Sequence, residues 1–66
     1  MEVRERVAAN VHTSTETLET LLRDKDFQVR EAAISNQNTP LSKIYDLLHD
    51  DHEDVRKAAE RRLQSE

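Results

Sequence analysis

The stretch LLRDKDFQVREAA, residues 21–33, decides the fold, because a closely similar stretch, LLHDDHEDVRKAA, follows at residues 47–59. Its pair Val29-Arg30 is one of three, since Val3-Arg4 precedes it and Val55-Arg56 follows it at equal intervals of 26 residues. Self-similarity at a period of about 20 to 50 residues is the signature of a repeat protein. The sequence therefore predicts a short tandem array. We expect its repeats near residues 3–28, 29–54 and 55–66.

Each repeat contains two segments with helical periodicity. In the second repeat, Val29, Ala32 and Ala33 give the first segment one apolar face. Ile44 and Leu47-Leu48 give the second segment a matching face. The pattern predicts helices at about residues 2–10, 14–23, 27–36, 40–49 and 53–64.

Several residues of the predicted turns allow predictions about the backbone conformation and the helix caps. Asn36 suits a left-handed position after a helix, because asparagine tolerates positive φ better than most residues. Thr39 is expected to be the N-cap of the next helix, with Pro40 as its first residue. In the first repeat, Thr13 and Glu16 have the spacing of a capping box.

The composition favours one small helical domain, residues 1–66. Glycine is absent and proline occurs once, which disfavours a turn-rich β architecture. A chain of this size buries only about 60% of its unfolded surface, so we expect marginal stability. The absence of cysteine excludes disulfides and suits a reducing compartment, which we take to be the cytoplasm. No apolar stretch exceeds a few residues, so we expect neither a signal peptide nor a membrane span.

The charge of the chain bears on its partners. The formal net charge is −4, and the 10 Lys and Arg residues are dispersed among 14 acidic ones. Nucleic acids and anionic membrane surfaces draw their affinity from clustered basic residues. We therefore expect neither nucleic acid nor membrane as a partner.

The same residues resemble a known family. Asp24 is followed five residues later by Val29-Arg30, and Asp50 by Val55-Arg56, as in HEAT-like helical repeats. The short period and the turn at residues 35–40 resemble more narrowly the leucine-rich repeat variant, a compact relative. The resemblance covers nearly the whole chain.

The resemblance implies an all-α fold: a short right-handed α-α superhelix, or solenoid, of about two and a half helical-hairpin repeats. It also implies a non-enzymatic scaffold that binds another protein, since such repeats are widely reused in this way. The chain departs from the family pattern at Val11 and Gln37, where proline is usual. A structural ladder of ion pairs between turns and helices is implied as well, at Asp24, Arg30, Asp50 and Arg56. The competing interpretation of its arginines is an anion-binding stripe.

The row HDDHED, residues 49–54, is the densest run of potential metal ligands. A metal-binding or catalytic accessory module would use His49, His52 and Asp51, and this is the alternative function. A stable zinc site needs three or four convergent ligands and supporting residues around them. The equivalent row of the preceding repeat, residues 23–28, has no such set. We therefore favour a turn in which Asp51 or a nearby carboxylate caps the last helix.

Motifs of catalysis are missing from the sequence. Without glycine there is neither a phosphate-binding glycine loop nor a nucleophile elbow. We expect no enzymatic activity and no cofactor, and we expect a protein partner to bind the helices that begin with Val-Arg. Their outward polar positions, which we call the VR-helix face, are Gln28, Glu31, Ser35, Glu53, Lys57 and Glu60.

Leu41 and Tyr45 are a second candidate contact. They lie four residues apart on the fourth predicted helix, so we expect them to share a face. The first repeat has Thr15 and Glu19 at these positions, which indicates an exposed face. Either a partner or a second copy covers the pair, or the last helix folds over it through Leu63.

The two ends of the array differ. Val3, Val7 and Val11 form a stripe that no preceding repeat covers. At the other end, Glu60 and the pair Arg61-Arg62 are expected to give the last helix a charged outer side. We therefore expect weak homodimerisation through the valine stripe or the Leu41–Tyr45 face.

Overall fold

A computed structural model describes residues 2–65, so the outermost residues of the predicted domain 1–66 lie outside the described part. All the regular secondary structure among the described residues is helical, which confirms the all-α prediction, and each expected helix is present near its expected position. The elements are α1 (Glu2–Ala9), α2 (Thr15–Leu21), α3 (Phe27–Ser35), α4 (Leu41–Ile44), a 3₁₀ segment (Tyr45–His49) and α5 (Glu53–Gln64).

Helix α3 lies at the centre of the packing. It packs against α1 on one side and α5 on the other, while α2 also contacts α3 and the 3₁₀ segment contacts α5. The largest fully buried apolar side chains come from four different helices. These four helices thus bury their apolar faces against neighbours, and this removal of apolar surface from water drives the association. The side chains are Leu18, Val29, Ile34, Ile44 and Val55.

The fourth predicted helix changes from α-helical to 3₁₀ geometry halfway along its length. It is α-helical from Leu41 to Ile44 and 3₁₀ from Tyr45 onward. Leu41, Ile44 and Leu47 recur at intervals of three residues. In 3₁₀ geometry residues three apart lie above one another, so this spacing keeps Leu47 on the same buried side as Ile44.

Asn36 does not adopt the expected left-handed conformation. Its φ and ψ are −73° and 129°, and none of the described residues has a positive φ. Its buried side chain instead donates to the carbonyls of Ala8 and Asn10, both at 2.8 Å. Its Oδ1 accepts the N–H of Asn38 at 2.9 Å. The extended backbone lets the amide reach the end of α1, so the prediction was wrong because the distant carbonyls decide the conformation.

The two turn threonines do not cap the helices that follow them. Thr39 donates its hydroxyl to the carbonyl of Ala33, and Thr13 donates to that of Val7, in each case six residues earlier. The last carbonyls of a helix have no partner inside the helix, and these hydroxyls supply one. The predicted N-cap role of Thr39 was therefore wrong, and Pro40 occupies that position without a side-chain hydrogen bond.

The predicted capping box in the first repeat was also wrong. Ser14, one residue after Thr13, is the N-cap of α2, and its hydroxyl oxygen accepts the N–H of Thr17 at 3.2 Å. Because the Thr13 hydroxyl donates to the Val7 carbonyl of α1, Ser14 rather than Thr13 caps α2.

The prediction that the outer side of the last helix is charged was wrong for Arg62. Glu60 and Arg61 are exposed, but Arg62 is half-buried. Its Nη1 donates to the carbonyls of Ile34 at 2.7 Å and Asn36 at 2.8 Å. It thus ties α5 to the end of α3, just as Asn36 ties α3 to the end of α1.

We expect Asn36→Ala to lower the free energy of unfolding by about 2 to 4 kcal/mol. The change removes the two hydrogen bonds to the carbonyls of Ala8 and Asn10 and the one from the Asn38 N–H, and buried losses of this kind cost about 1 to 3 kcal/mol each. The matched control is Asn10→Ala, at the equivalent but exposed position of the first repeat, for which we expect less than about 1 kcal/mol. Urea denaturation of both variants measures the difference. Equal losses would contradict the structural role of the Asn36 amide.

Candidate protein-binding surface

Two aspartate turns connect the helical hairpins. Asp24 accepts the N–H of Asp26 through Oδ1 at 2.9 Å, and Asp50 accepts the N–H of His52 through Oδ2 at 2.9 Å. Asp26 and His52 in turn are the N-caps of α3 and α5. The two turns therefore share one local geometry, although their sequences differ.

The arginines of the Val-Arg pairs join these turns. Arg4 Nε lies 2.7 Å from Asp24 Oδ2. Arg30 donates through Nη1 to the Asp24 carbonyl at 2.7 Å, and its Nε and Nη2 each lie 3.2 Å from an oxygen of the Asp50 carboxylate. Arg56 donates through Nη1 to the Asp50 carbonyl at 2.7 Å. The structure thus brings the four ladder residues of the sequence into one contiguous row.

His52, in the turn that had suggested a metal site, caps a helix and packs against an aromatic ring. Its Nδ1 accepts the N–H of Asp54 at 3.1 Å, and its ring stacks on Phe27 with centroids 3.8 Å apart. The expectation that a carboxylate caps α5 was therefore wrong: the imidazole does so, and Asp51 is exposed. His49 is exposed as well. Among residues 2–65, no three His, Asp or Glu side chains are placed to hold a metal ion.

The stack of Phe27 on His52 was not foreseen from the sequence. Phe27 is the first residue of α3 and His52 lies in the turn before α5, and the register of the repeats aligns neither with an aromatic residue. The repeat pattern of the sequence therefore gave no indication of this contact.

The VR-helix face is mostly open to solvent. All its members except Glu31, which is half-buried, are exposed. Lys57 and Glu53 form an ion pair at 3.5 Å whose side chains are 62% and 68% exposed. Such exposed pairs contribute little to stability, so these side chains are available to a partner.

Leu41 and Tyr45 do not share an exposed face. Leu41 is half-buried and packs against the core, as Leu63 does, whereas Tyr45 is 57% exposed. Only the tyrosine of the expected pair is open to a partner.

A groove runs between α2 and the segment formed by α4 and the 3₁₀ residues. It has a volume of 670 Å³, and Leu22 and Leu47 contribute to its lining. Sequence reasoning missed it, because the separation of two helices that are not adjacent in the chain has no signature in the sequence. Its charged lining residues are Glu16, Glu19, Arg23, Asp24, Lys43 and Asp46.

Helix α1 presents the valine stripe to solvent. Val3, Val7 and Val11 are 73%, 38% and 63% exposed. The equivalents of the first two on α3, Val29 and Ala33, are fully buried. The difference follows from position, because α3 has α1 beside it and α1 forms the end of the packed helices.

Residues 1–26 match the family model of the leucine rich repeat variant. The chain is similar to this family. Repeats of this kind are generally protein-interaction modules. No curated protein and no solved structure gave a match. Within residues 2–65, no helix is long and apolar enough to cross a membrane.

We expect His52→Ala to lower the free energy of unfolding by about 1 to 2 kcal/mol, through loss of the N-cap and of the stack on Phe27. For a domain of this size that corresponds to a fall in melting temperature of about 4 to 16 °C. His49→Ala is the matched control, and we expect it to change the melting temperature little because the side chain is exposed. Melting curves with and without added zinc test the role. Stabilisation of the natural chain by zinc that both substitutions abolish would restore the metal hypothesis.

Proposed function

We propose that the chain is a non-enzymatic helical-repeat scaffold that binds another protein in the cytoplasm. The observation that carries the proposal is the similarity of residues 1–26 to the leucine rich repeat variant. The absence of cysteine, which suits a reducing compartment, supports the cytoplasmic location. In this proposal the helical hairpins form a short right-handed superhelix with repeats near residues 3–28, 29–54 and 55–66.

Contacts that recur with the period of the sequence support the repeat architecture. The hydroxyl of Thr13 bonds to Val7, and that of Thr39 bonds to Ala33 in the same way 26 residues later. Neighbouring units that make the same contacts are the basis of a solenoid, in which each repeat is stabilised mainly by the next.

We place the partner in the groove between α2 and α4 rather than on the VR-helix face. A groove can contact an extended or helical segment from two sides, which is how many protein modules bind peptides. Its lining combines four acidic and two basic side chains with Leu22 and Leu47, so it suits a polypeptide better than a small apolar ligand. The VR-helix face as defined has only polar side chains, whereas the groove also offers Leu22 and Leu47, and apolar groups are concentrated at the centres of interfaces.

Charge reversal distinguishes the two surfaces. The partner is first identified by cross-linking and co-purification from the native cell. We then expect Glu19→Lys with Asp46→Lys, in the groove, to weaken its binding at least about tenfold, which is about 1.4 kcal/mol. Glu53→Lys with Glu60→Lys changes the net charge equally on the VR-helix face and should leave binding nearly unchanged.

Weaker binding by Glu53→Lys with Glu60→Lys, together with nearly unchanged binding by Glu19→Lys with Asp46→Lys, would place the contact on the VR-helix face. Absence of any stoichiometric partner from the native cell would count against the scaffold itself.

The exposed valine stripe supports a weak homodimer as a further part of the proposal. A stable dimer buries about 800 Å² per partner, which three partly exposed valines do not approach, so the association should be weak. We expect sedimentation equilibrium over a hundredfold range of concentration to show a monomer–dimer equilibrium that Val3→Lys abolishes. Tyr45→Lys is the control for the other exposed apolar side chain. A monomer at every concentration would overturn the homodimer and leave the scaffold untouched.

A further inference from the structure

The two walls of the groove, α2 on one side and α4 with the 3₁₀ segment on the other, are tied together at both ends. At one end, the Thr15 hydroxyl at the start of α2 donates to the carbonyl of Asn38, in the turn before α4, at 3.4 Å. At the other end, Arg30 donates to the Asp24 carbonyl after α2 and contacts the Asp50 carboxylate after the 3₁₀ segment. The walls therefore run in the same direction, and the space between them is a fixed part of the fold.

The floor of the groove is apolar. Leu22 and Leu47 line the groove although only 4% and 9% of their surface is exposed, so they lie at its bottom rather than on its rim. We call these two residues the leucine floor. An aliphatic group placed in the groove covers the apolar surface that they still expose, which is favourable.

The middle of the groove carries uncompensated negative charge. Glu19 is the fifth residue of α2 and Asp46 the second of the 3₁₀ segment, and they line the groove from opposite walls. Within residues 2–65, neither carboxylate takes part in an ion pair. The carboxylate of Asp24, which also lines the groove, is neutralised by Arg4 at 2.7 Å. The negative charge that a ligand meets is thus that of the two facing walls.

The basic side chains of the lining lie away from this point. Lys43 is near the start of α4, and Arg23 follows the end of α2. Both are exposed. Arg23 is one helical turn beyond Glu19, but an exposed pair at this spacing contributes little to stability. A cation of a partner therefore displaces little when it enters the middle of the groove.

An arginine side chain matches both the walls and the floor. Its aliphatic stem packs on apolar surface while its charged head stays among polar groups. Its planar guanidinium has five N–H donors, so it can donate to two carboxylates on opposite sides at once. Hydrogen bonds between charged partners of this kind are stronger than those between neutral groups.

The length of the walls suits an extended backbone. Helix α2 has seven residues and is therefore about 10 Å long, a distance that about three extended residues span. Residues two positions apart in an extended segment point to the same side. An apolar residue two positions from the arginine therefore also faces the groove.

We infer that the groove binds an extended, arginine-containing segment of the partner protein. The arginine donates to Glu19 and Asp46, and an apolar residue two positions away packs on the leucine floor. The inference rests on the proposed function and deepens it, because it names the chemistry of the segment that the groove selects.

Nuclear magnetic resonance titration with a short peptide tests the site without the native partner, so its failure is distinguishable from failure of the scaffold proposal. The probe is acetyl-Leu-Ala-Arg-Ala-Leu-amide, which places a leucine two positions from the arginine in either chain direction. The matched control has citrulline, which is similar in shape but neutral, in place of arginine. We expect the arginine peptide to shift the backbone amide signals of α2 and the 3₁₀ segment saturably, with an affinity at least about tenfold above that of the control.

Paired neutral variants separate the groove from the general attraction of a cation to an acidic chain. Glu19→Gln with Asp46→Asn removes two charges from the groove, and Glu53→Gln with Glu60→Gln removes two from the VR-helix face. We expect the groove variant to keep its melting temperature, since neither carboxylate forms an ion pair within residues 2–65. It should lose the preference for arginine over citrulline, and the variant of the VR-helix face should retain it.

Equal affinities of the natural chain for the two peptides, or a preference that survives in the groove variant, would overturn the inference. Signals of the VR-helix face that shift more than those of the groove would do the same. Replacing both peptide leucines by alanine should weaken binding, and unchanged binding would contradict the contact with the leucine floor. Groove signals that change with protein concentration in the absence of peptide would assign the groove to a second copy of the chain and overturn the assignment to a partner.

Discussion

The contact of Arg30 with two successive turns is the interaction on which the arrangement of the helices depends. One side of its guanidinium holds the Asp24 carbonyl, and the other holds the Asp50 carboxylate. Replacing a half-buried ion pair by apolar groups often costs little, so its main effect is to specify one arrangement rather than to supply stability. Apolar faces can slide against one another at small cost, but a guanidinium that contacts a carbonyl in one turn and a carboxylate in the next restricts such sliding. The register of α3 between its neighbours is thereby fixed.

Side chains that bridge from one helix to the end of the preceding one complete this arrangement. Asn36 supplies the bridge from α3 to α1, and Arg62 supplies it from α5 to α3. An amide and a guanidinium are chemically different, yet each donates to two carbonyls at the end of the neighbouring helix. The position needs a side chain with an N–H donor that can reach the neighbouring helix. Asparagine does this from the end of α3, and the longer arginine does it from α5.

The two ends of the packed helices offer different chemistry to a partner. Helix α1 presents exposed valines, while α5 presents charged side chains. Burying a charge against apolar groups is unfavourable, so the two surfaces suit partners of different polarity.

The sequence by itself determined the helices and their apolar faces, because the spacing of Val29, Ala33 and their equivalents is a local property that survives whatever packs against it. The resemblance to HEAT-like repeats also implied that Asp24 and Asp50 contact the arginines of the Val-Arg pairs. Only the tertiary structure decided the roles of the polar turn residues. The backbone of Asn36 and the hydroxyl of Thr39 follow from carbonyls on other helices, whose distances no local pattern encodes. The same reason explains the groove, since it exists only where helices distant in the chain are held apart.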